Sequence, residues 1–167
     1  MRPRPPGRHG TRRAWALSLL ALPGPACTET DTCGPSSARV VNVVDGDTVD
    51  LEDGTRVRYL LVDTPEVSGT PECFGEEART FNRQLVEGRT VGLTYDVECT
   101  DRYDRTLAYL TADGRDVNAL LLERGYACVL QIPPNGADRV DEYRAVQAQA
   151  QADGVGLWGA CDPVPCL

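Results

Sequence analysis

Arg58-Tyr59-Leu60-Leu61-Val62-Asp63-Thr64-Pro65-Glu66, together with Asp45-Gly46-Asp47-Thr48 shortly before it, is the stretch on which the rest of the chain depends. Val40 to Val44 is a β-branched run broken by Asp45-Gly46, a strong two-residue turn signal. Thr48 to Leu51 resumes an alternating pattern, Asp53-Gly54 turns again, and Arg56 to Val62 reads as a third strand. Pro65 has no N–H for a ladder and biases Thr64 toward extended backbone, so this strand should stop near Asp63. Acids then stand at two strand ends facing one edge. Carboxylates and backbone carbonyls grouped in this way suit a hard cation such as calcium.

Working outward, the chain has 167 residues, enough for one ordinary domain. Residues 1–26 differ from the remainder: Arg2, Arg4, Arg8, Arg12 and Arg13 without an acid, an apolar run Ala14 to Leu22, then Pro23-Gly24-Pro25-Ala26. This reads as a secretory signal, too short in its apolar part to span a bilayer. Cys27 follows directly and is either the first mature residue or a lipid-modified one, which would anchor the protein to a membrane. The expected location is therefore secreted, periplasmic or outer-membrane lipoprotein. With Cys27 set aside, Cys33, Cys73, Cys99, Cys128, Cys161 and Cys166 form an even set, expected as three disulfides whose pairing spacing cannot give. Zinc is the rival reading, but the chain has no Cys-x2-Cys pair.

All 25 acids lie after residue 26 along with 12 of the 17 basic residues, every one an arginine, so the mature chain carries about −13. A nonspecific nucleic-acid binder relying on phosphate neutralisation would have the opposite balance. A hydrolase with a local phosphate site and a cation tolerates it, with weak, salt-sensitive substrate binding. The one histidine, His9, falls in the expected signal. Ser-His-Asp and Cys-His hydrolysis and histidine-held zinc are thereby excluded from the mature domain.

The remainder divides into a tether (27–37), one domain (38–160) and a Cys/Pro-rich tail (161–167). Helices are expected from Gly75 to Gly88, from Val117 to Gly125 and from Asp138 to Ala152, on apolar three-to-four spacing and glycine ends. Thr90 to Tyr95 and Thr106 to Thr111 read as strands, Tyr126 to Ile132 as a short extended segment. Five strands with turns between them, then helices, suggest an α+β chain: a small closed barrel with helices packed on it.

Val44-Asp45-Gly46-Asp47-Thr48-Val49, Arg58 to Glu66, and Asp101-Arg102-Tyr103-Asp104-Arg105-Thr106-Leu107-Ala108-Tyr109 resemble, in order and spacing, the three signature segments of the staphylococcal nuclease family. The similarity runs from about Val40 to Trp158. It implies an OB-fold five-stranded barrel with three helices, and a calcium-dependent endonuclease that cuts DNA and RNA with little sequence preference and leaves 3′-phosphate ends. It implies Asp47, Asp63 and the Thr64 carbonyl as Ca2+ ligands, with Asp45 behind them orienting water. Arg58 and Arg105 resemble the phosphate-binding pair, Glu66 the carboxylate near the attacking water, and Tyr103 with Arg102 the substrate-phosphate contacts. A guanidinium can fork onto two phosphate oxygens and stabilise a five-coordinate phosphorus. Five residues of flat strand span roughly 16 Å, so barrel curvature and a long side chain are expected to bring Arg58 beside Asp63.

Three departures from the family pattern bear on substrate grip. Asp104 stands where the family usually has glycine. Gln131 and Pro133 occupy the positions of its base-stacking tyrosines, and the loop after Glu66 is short and without basic residues. A monomer is expected, with nucleic acid as substrate and no protein partner. Two other readings remain: a non-catalytic OB-fold module binding nucleic acid or a protein at the cell surface, and a disulfide-rich domain using calcium only for stability.

Overall fold

The computed structural model describes residue 1 and residues 33–165; the expected signal beyond Met1, Cys27 with its lipidation, most of the tether, and Cys166 lie outside the described residues. Five strands form the barrel: β1 (Ser37–Val43), β2 (Thr48–Leu51), β3 (Arg56–Tyr59), β5 (Thr90–Thr94) and β6 (Thr106–Ala112). Their order is β3-β2-β1-β5-β6, and a parallel pairing of β3 with β6 closes the ring, setting Arg58 opposite Leu107. All other pairings in the ring are antiparallel. β1 serves two neighbours. Ser37 to Arg39 pair with β5, Val40 to Val43 pair with β2, and the register shifts between Val40 and Asn42. An extra residue of this kind bends a strand and sharpens its twist, which a small barrel needs.

The alternation that predicts the strands also fills the barrel. Val40, Val43, Val49, Leu51, Val57, Tyr59, Val91, Leu93, Ala108 and Leu110 are all buried. Each fully buried Val or Leu contributes roughly 1.5–3 kcal/mol, and a one-residue slip would turn a whole strand inside out. Register is therefore fixed, with Val57 and Tyr59 inward and Arg56 and Arg58 outward.

Helices α1 (Gly75–Val86), α2 (Val117–Glu123) and α3 (Val140–Ala152) pack on the barrel. Glu76 and Glu77 sit in the first turn of α1, where the helix dipole favours acids. Asp116 caps α2 by accepting from the Ala119 N–H. α3 starts at Val140, two residues later than its sequence pattern suggests. Two small elements carry no periodic signal: β7 (Arg115–Asp116), which pairs with the end of β6, and the four-residue α4 (Leu157–Ala160). Disulfides join Cys33 to Cys99 and Cys73 to Cys161, and Cys128 is disulfide-bonded as well.

One expectation is corrected. Arg56 to Val62 is not a continuous strand. β3 ends at Tyr59, Leu61 takes φ 61°, and the chain restarts as β4 (Leu61–Asp63), paired with β8 (Cys128–Leu130) in a separate two-stranded sheet. A leucine in the left-handed region costs of the order of 1–3 kcal/mol and persists only where its surroundings impose it. They do. The buried Asn118 donates to the Leu60 carbonyl at 2.9 Å while accepting from the Leu110 N–H at 3.0 Å. The Leu60 N–H donates to Ala108. Leu61 lies so close to Gly136 that a Cβ there would come within 2.3 Å of it.

Candidate active site

The break at Leu61 brings Arg58 and Asp63 together. Arg58 folds over the kink, donating from Nη1 to the carbonyls of Tyr59 (2.7 Å) and Val62 (2.6 Å) and from Nη2 to Asp63 Oδ1 (2.7 Å). Its Nε lies 3.0 Å from Asp47 Oδ1. A sharp turn, not smooth barrel curvature, closes the distance that a flat strand would leave open. Four of the five guanidinium N–H groups are thus held by protein. Toward a phosphate Arg58 has one N–H in this arrangement, where the sequence predicts a two-pronged fork.

Asp47 is almost wholly buried, 4 % exposed, and both of its oxygens are in use. Oδ2 accepts from Thr64 N (2.8 Å) and Thr64 Oγ1 (3.0 Å), and Oδ1 from Thr48 Oγ1 (3.1 Å) as well as Arg58. The loop carrying it is shaped by Asp45, whose carboxylate accepts from the Asp47 N–H at 3.0 Å. Asn82, fully buried on α1, steadies the same loop: it donates to the Asp45 carbonyl and accepts from Tyr59 Oη. Gly46 must lack a side chain, since a Cβ would come within 2.6 Å of Thr64.

Electrostatics follow from three acids around one guanidinium. Burial, reinforced by the negative charge of Asp47, pushes the Asp45 carboxyl up to about 6, against the pull of a backbone N–H, Thr48 and Arg58. Asp63 is raised too, chiefly by burial, with Asp47, Glu66 and Glu72 adding to it and Arg58 opposing. Asp45 therefore holds a proton more tightly folded than unfolded. Its contribution to stability is fully present below about pH 4 and is lost as pH rises through 6, of the order of 3 kcal/mol at 1.4 kcal/mol per unit. Carboxyl 13C NMR of the calcium-free protein should show Asp45 titrating near pH 6. An Asp45 midpoint near 4 would contradict the burial of its charge.

Calcium would be held here by oxygen donors alone. The residues fit such a cation: Asp45, Asp47 and Asp63 set three carboxyl groups against the single charge of Arg58, with neither histidine nor thiol to draw a softer metal. Among the described residues no three His, Cys, Asp or Glu side chains gather into a metal site by themselves. Asp47 and Asp63 meet across Arg58, so a backbone carbonyl such as that of Thr64, and water, must complete any coordination sphere.

The other predicted residues line one cleft of about 520 Å³ with Arg58 and Asp63: Glu66, Arg102, Tyr103 and Arg105. Asp47, Asp45 and Thr64 lie behind its wall, not on it. Arg105 is gripped by Asp101, whose Oδ2 lies 2.8 Å from Nε and 2.7 Å from Nη2. Asp101 Oδ1 also accepts from the N–H groups of Tyr103 and Arg105, which holds the whole 101–105 turn. Asp101 is a residue that sequence reasoning missed: it lies in a turn and not a helix, so its place four residues before Arg105 carries no signal of its own. Asp104 does adopt φ 60° at the place where the family has glycine. Tyr103 is 63 % exposed, with the guanidinium of Arg102 4.7 Å and that of Arg105 5.5 Å from its ring. Leu130 and Ile132 form the far lip, exposed aliphatics flanking Gln131.

The sequence model described as Staphylococcal nuclease homologue matches residues 56–160. The chain belongs to the staphylococcal nuclease family. It is 35% identical over 132 residues to Endonuclease YncB of Bacillus subtilis (strain 168), covering 72% of this chain and 63% of that one. It is 33% identical over 122 residues to the SPbeta prophage-derived endonuclease YokF of the same organism, covering 69% of this chain and 41% of that protein. Over 132 residues it is 38% identical to Thermonuclease of Staphylococcus intermedius, with 75% of each chain covered. The chain thus spans less than two thirds of the length of the two Bacillus relatives. In family terms, the α+β barrel with three helices is as expected; the β2–β3 hairpin pairs the first and second signature segments, and the strand break at Leu61 folds Asp63 back onto Arg58.

Proposed function

We propose that this protein is a calcium-dependent endonuclease that hydrolyses phosphodiester bonds of DNA and RNA, with Arg58, Glu66 and Arg105 as the catalytic residues. The observation that carries the reading is one cleft lined by Arg58, Asp63, Glu66, Tyr103 and Arg105, residues drawn from both ends of the parallel seam between β3 and β6. The names of its relatives, endonuclease and thermonuclease, point the same way.

Asp47, Asp63 and the Thr64 carbonyl would hold the ion, and Asp45 would order the water around it. When bound, calcium supplies positive charge to polarise a phosphate oxygen and to offset the acid cluster. Glu66 accepts a proton from the attacking water on the exposed side of the cleft. Arg105, tied to Asp101 through Nε and one Nη2 contact, keeps Nη1 for a phosphate oxygen, and Arg58 contributes its remaining N–H. Both are fixed before substrate arrives, which is where electrostatic stabilisation of a phosphoryl transition state is most effective. Tyr103 and Arg102 stand at the cleft mouth to hold a neighbouring phosphate. Attack in line with the P–O5′ bond breaks that bond, the 5′-oxygen departs with a proton, and a 3′-phosphate end remains.

The test is the oxidised protein incubated with single-stranded DNA in calcium or in chelator, with end-group analysis of the products. The expected result is cleavage in calcium alone and 3′-phosphate ends. A folded protein that binds calcium and leaves the strand intact would overturn the enzymatic reading.

A further inference from the structure

Glu66 is exposed and leads into a short exposed loop, the circumstance in which a side chain would ordinarily wander. The loop is nevertheless closed at its base. The Glu66 N–H donates to Glu72 Oε2 at 2.8 Å, and the Glu72 N–H donates back to the Glu66 carbonyl at 2.9 Å. This reciprocal pair makes a ring of residues 66–72, pinned at its neck by backbone on one side and a carboxylate on the other. The N–H of Gly75 donates to the Glu72 carbonyl at 3.2 Å, so the ring is seated on the start of α1. Gly75 itself has no room for a side chain: a Cβ would come within 2.6 Å of the Glu66 carbonyl and 3.0 Å of the Pro65 carbonyl. Cys73, next to Glu72, is then tied by its disulfide to Cys161 at the end of α4.

We propose that Glu72 is a positioning residue for Glu66, acting through this two-hydrogen-bond clasp, which the Cys73–Cys161 disulfide anchors to the C-terminal end of the domain. The inference rests on Glu66 acting as the base of the proposed nuclease. The bond from the Glu66 N–H to the Glu72 side-chain oxygen fixes the backbone from which the Glu66 side chain departs. Misplacing a catalytic group by about 1 Å costs of the order of 100-fold in rate. The clasp is what denies Glu66 that freedom.

The experiment compares the full oxidised chain with Glu72→Ala and Glu72→Gln. Because Glu72 is exposed, neither variant empties the core. Two readouts are taken: amide hydrogen exchange at Glu66, which needs no activity, and kcat and KM on single-stranded DNA in calcium. In Glu72→Ala the Glu66 amide should exchange faster, and kcat should fall about 10- to 100-fold with KM within about twofold. Glu72→Gln retains an oxygen that can accept from the Glu66 N–H and should recover most of both. An unchanged Glu66 amide in Glu72→Ala would overturn the clasp whatever the activity. Faster exchange with unchanged kcat would overturn its positioning role. Equal losses in the Ala and Gln variants would assign the effect to charge and overturn the hydrogen-bond argument. A wild-type protein without activity would instead remove the nuclease reading, with the exchange result still deciding whether the clasp exists.

Discussion

Arg58→Ala should lower the proposed nuclease activity at least about 10²- to 10³-fold and destabilise the domain together. Arg58 reaches four protein oxygens, two of them backbone carbonyls flanking the Leu60–Leu61 kink and two of them carboxylates. Removing it leaves the Asp47 side chain, 4 % exposed, without its cationic partner. Breaking a buried ion pair by deleting one member costs about 3–5 kcal/mol, a large share of the 5–15 kcal/mol available to an ordinary domain. Loss of one fixed donor from a transition-state site costs about 10²–10³ in kcat, and the kink that carries Asp63 would relax as well. Arg58→Lys keeps the charge but cannot reach both carbonyls and both acids, so it should rescue only a fraction of the stability. The check is a denaturant melt beside a cleavage assay. Arg58→Ala with native stability would mean that the kink is held by Asn118 and Gly136 alone.

Reduction should produce the other large effect. Cys33–Cys99 and Cys73–Cys161 close chain separations of 66 and 88 residues. Loops of that length restrict the unfolded chain by roughly 4–5 kcal/mol each. The two loops overlap in sequence, so the combined stabilisation is less than the sum. Loss of even one such increment should lower the melting temperature by of the order of 15 °C. Cys73 is exposed and Cys33 and Cys99 are half-exposed, so a small thiol reductant can reach them without unfolding. Calorimetry with and without reductant decides the matter, and an unchanged melting temperature would show that the barrel core suffices by itself.

Much of this arrangement is legible in the sequence because its causes are local. Asp45-Gly46 and Asp53-Gly54 turn the chain where pattern predicts, and the alternation from Thr48 to Tyr59 sets which side chains face the core. Gly88 and Gly125, both with positive φ, end the first two helical segments as anticipated. The break at Leu61 is different in kind. Leu60, Leu61 and Val62 are buried apolar residues with neither glycine nor proline among them, and they read as more strand. What breaks the strand is far away in sequence: the Asn118 side chain and the bare backbone of Gly136. The proximity of Arg58 to Asp63 was therefore reachable only through family resemblance. The disulfide pairing was closed to spacing arguments for the same reason. Asp101 and Glu72 were overlooked because an acid beside a turn is ordinarily a solvated residue, and only its hydrogen bonds distinguish it.

The parallel pairing of β3 with β6 has a kinetic meaning. Val57 faces Thr106 across it, residues separated by the whole of α1 and β5 along the chain. Hairpins β1–β2 and β2–β3 and the helices can form from near neighbours, but this seam must wait for a long segment to be ordered, and contacts of that kind are the slow ones. Arg58 sits in one strand of the seam and Arg105 immediately precedes the other, so the two are brought together only when the ring shuts. No partly assembled species can have both in place. Recovery of the proposed activity on refolding should therefore report ring closure itself, later than any signal from helix or hairpin formation.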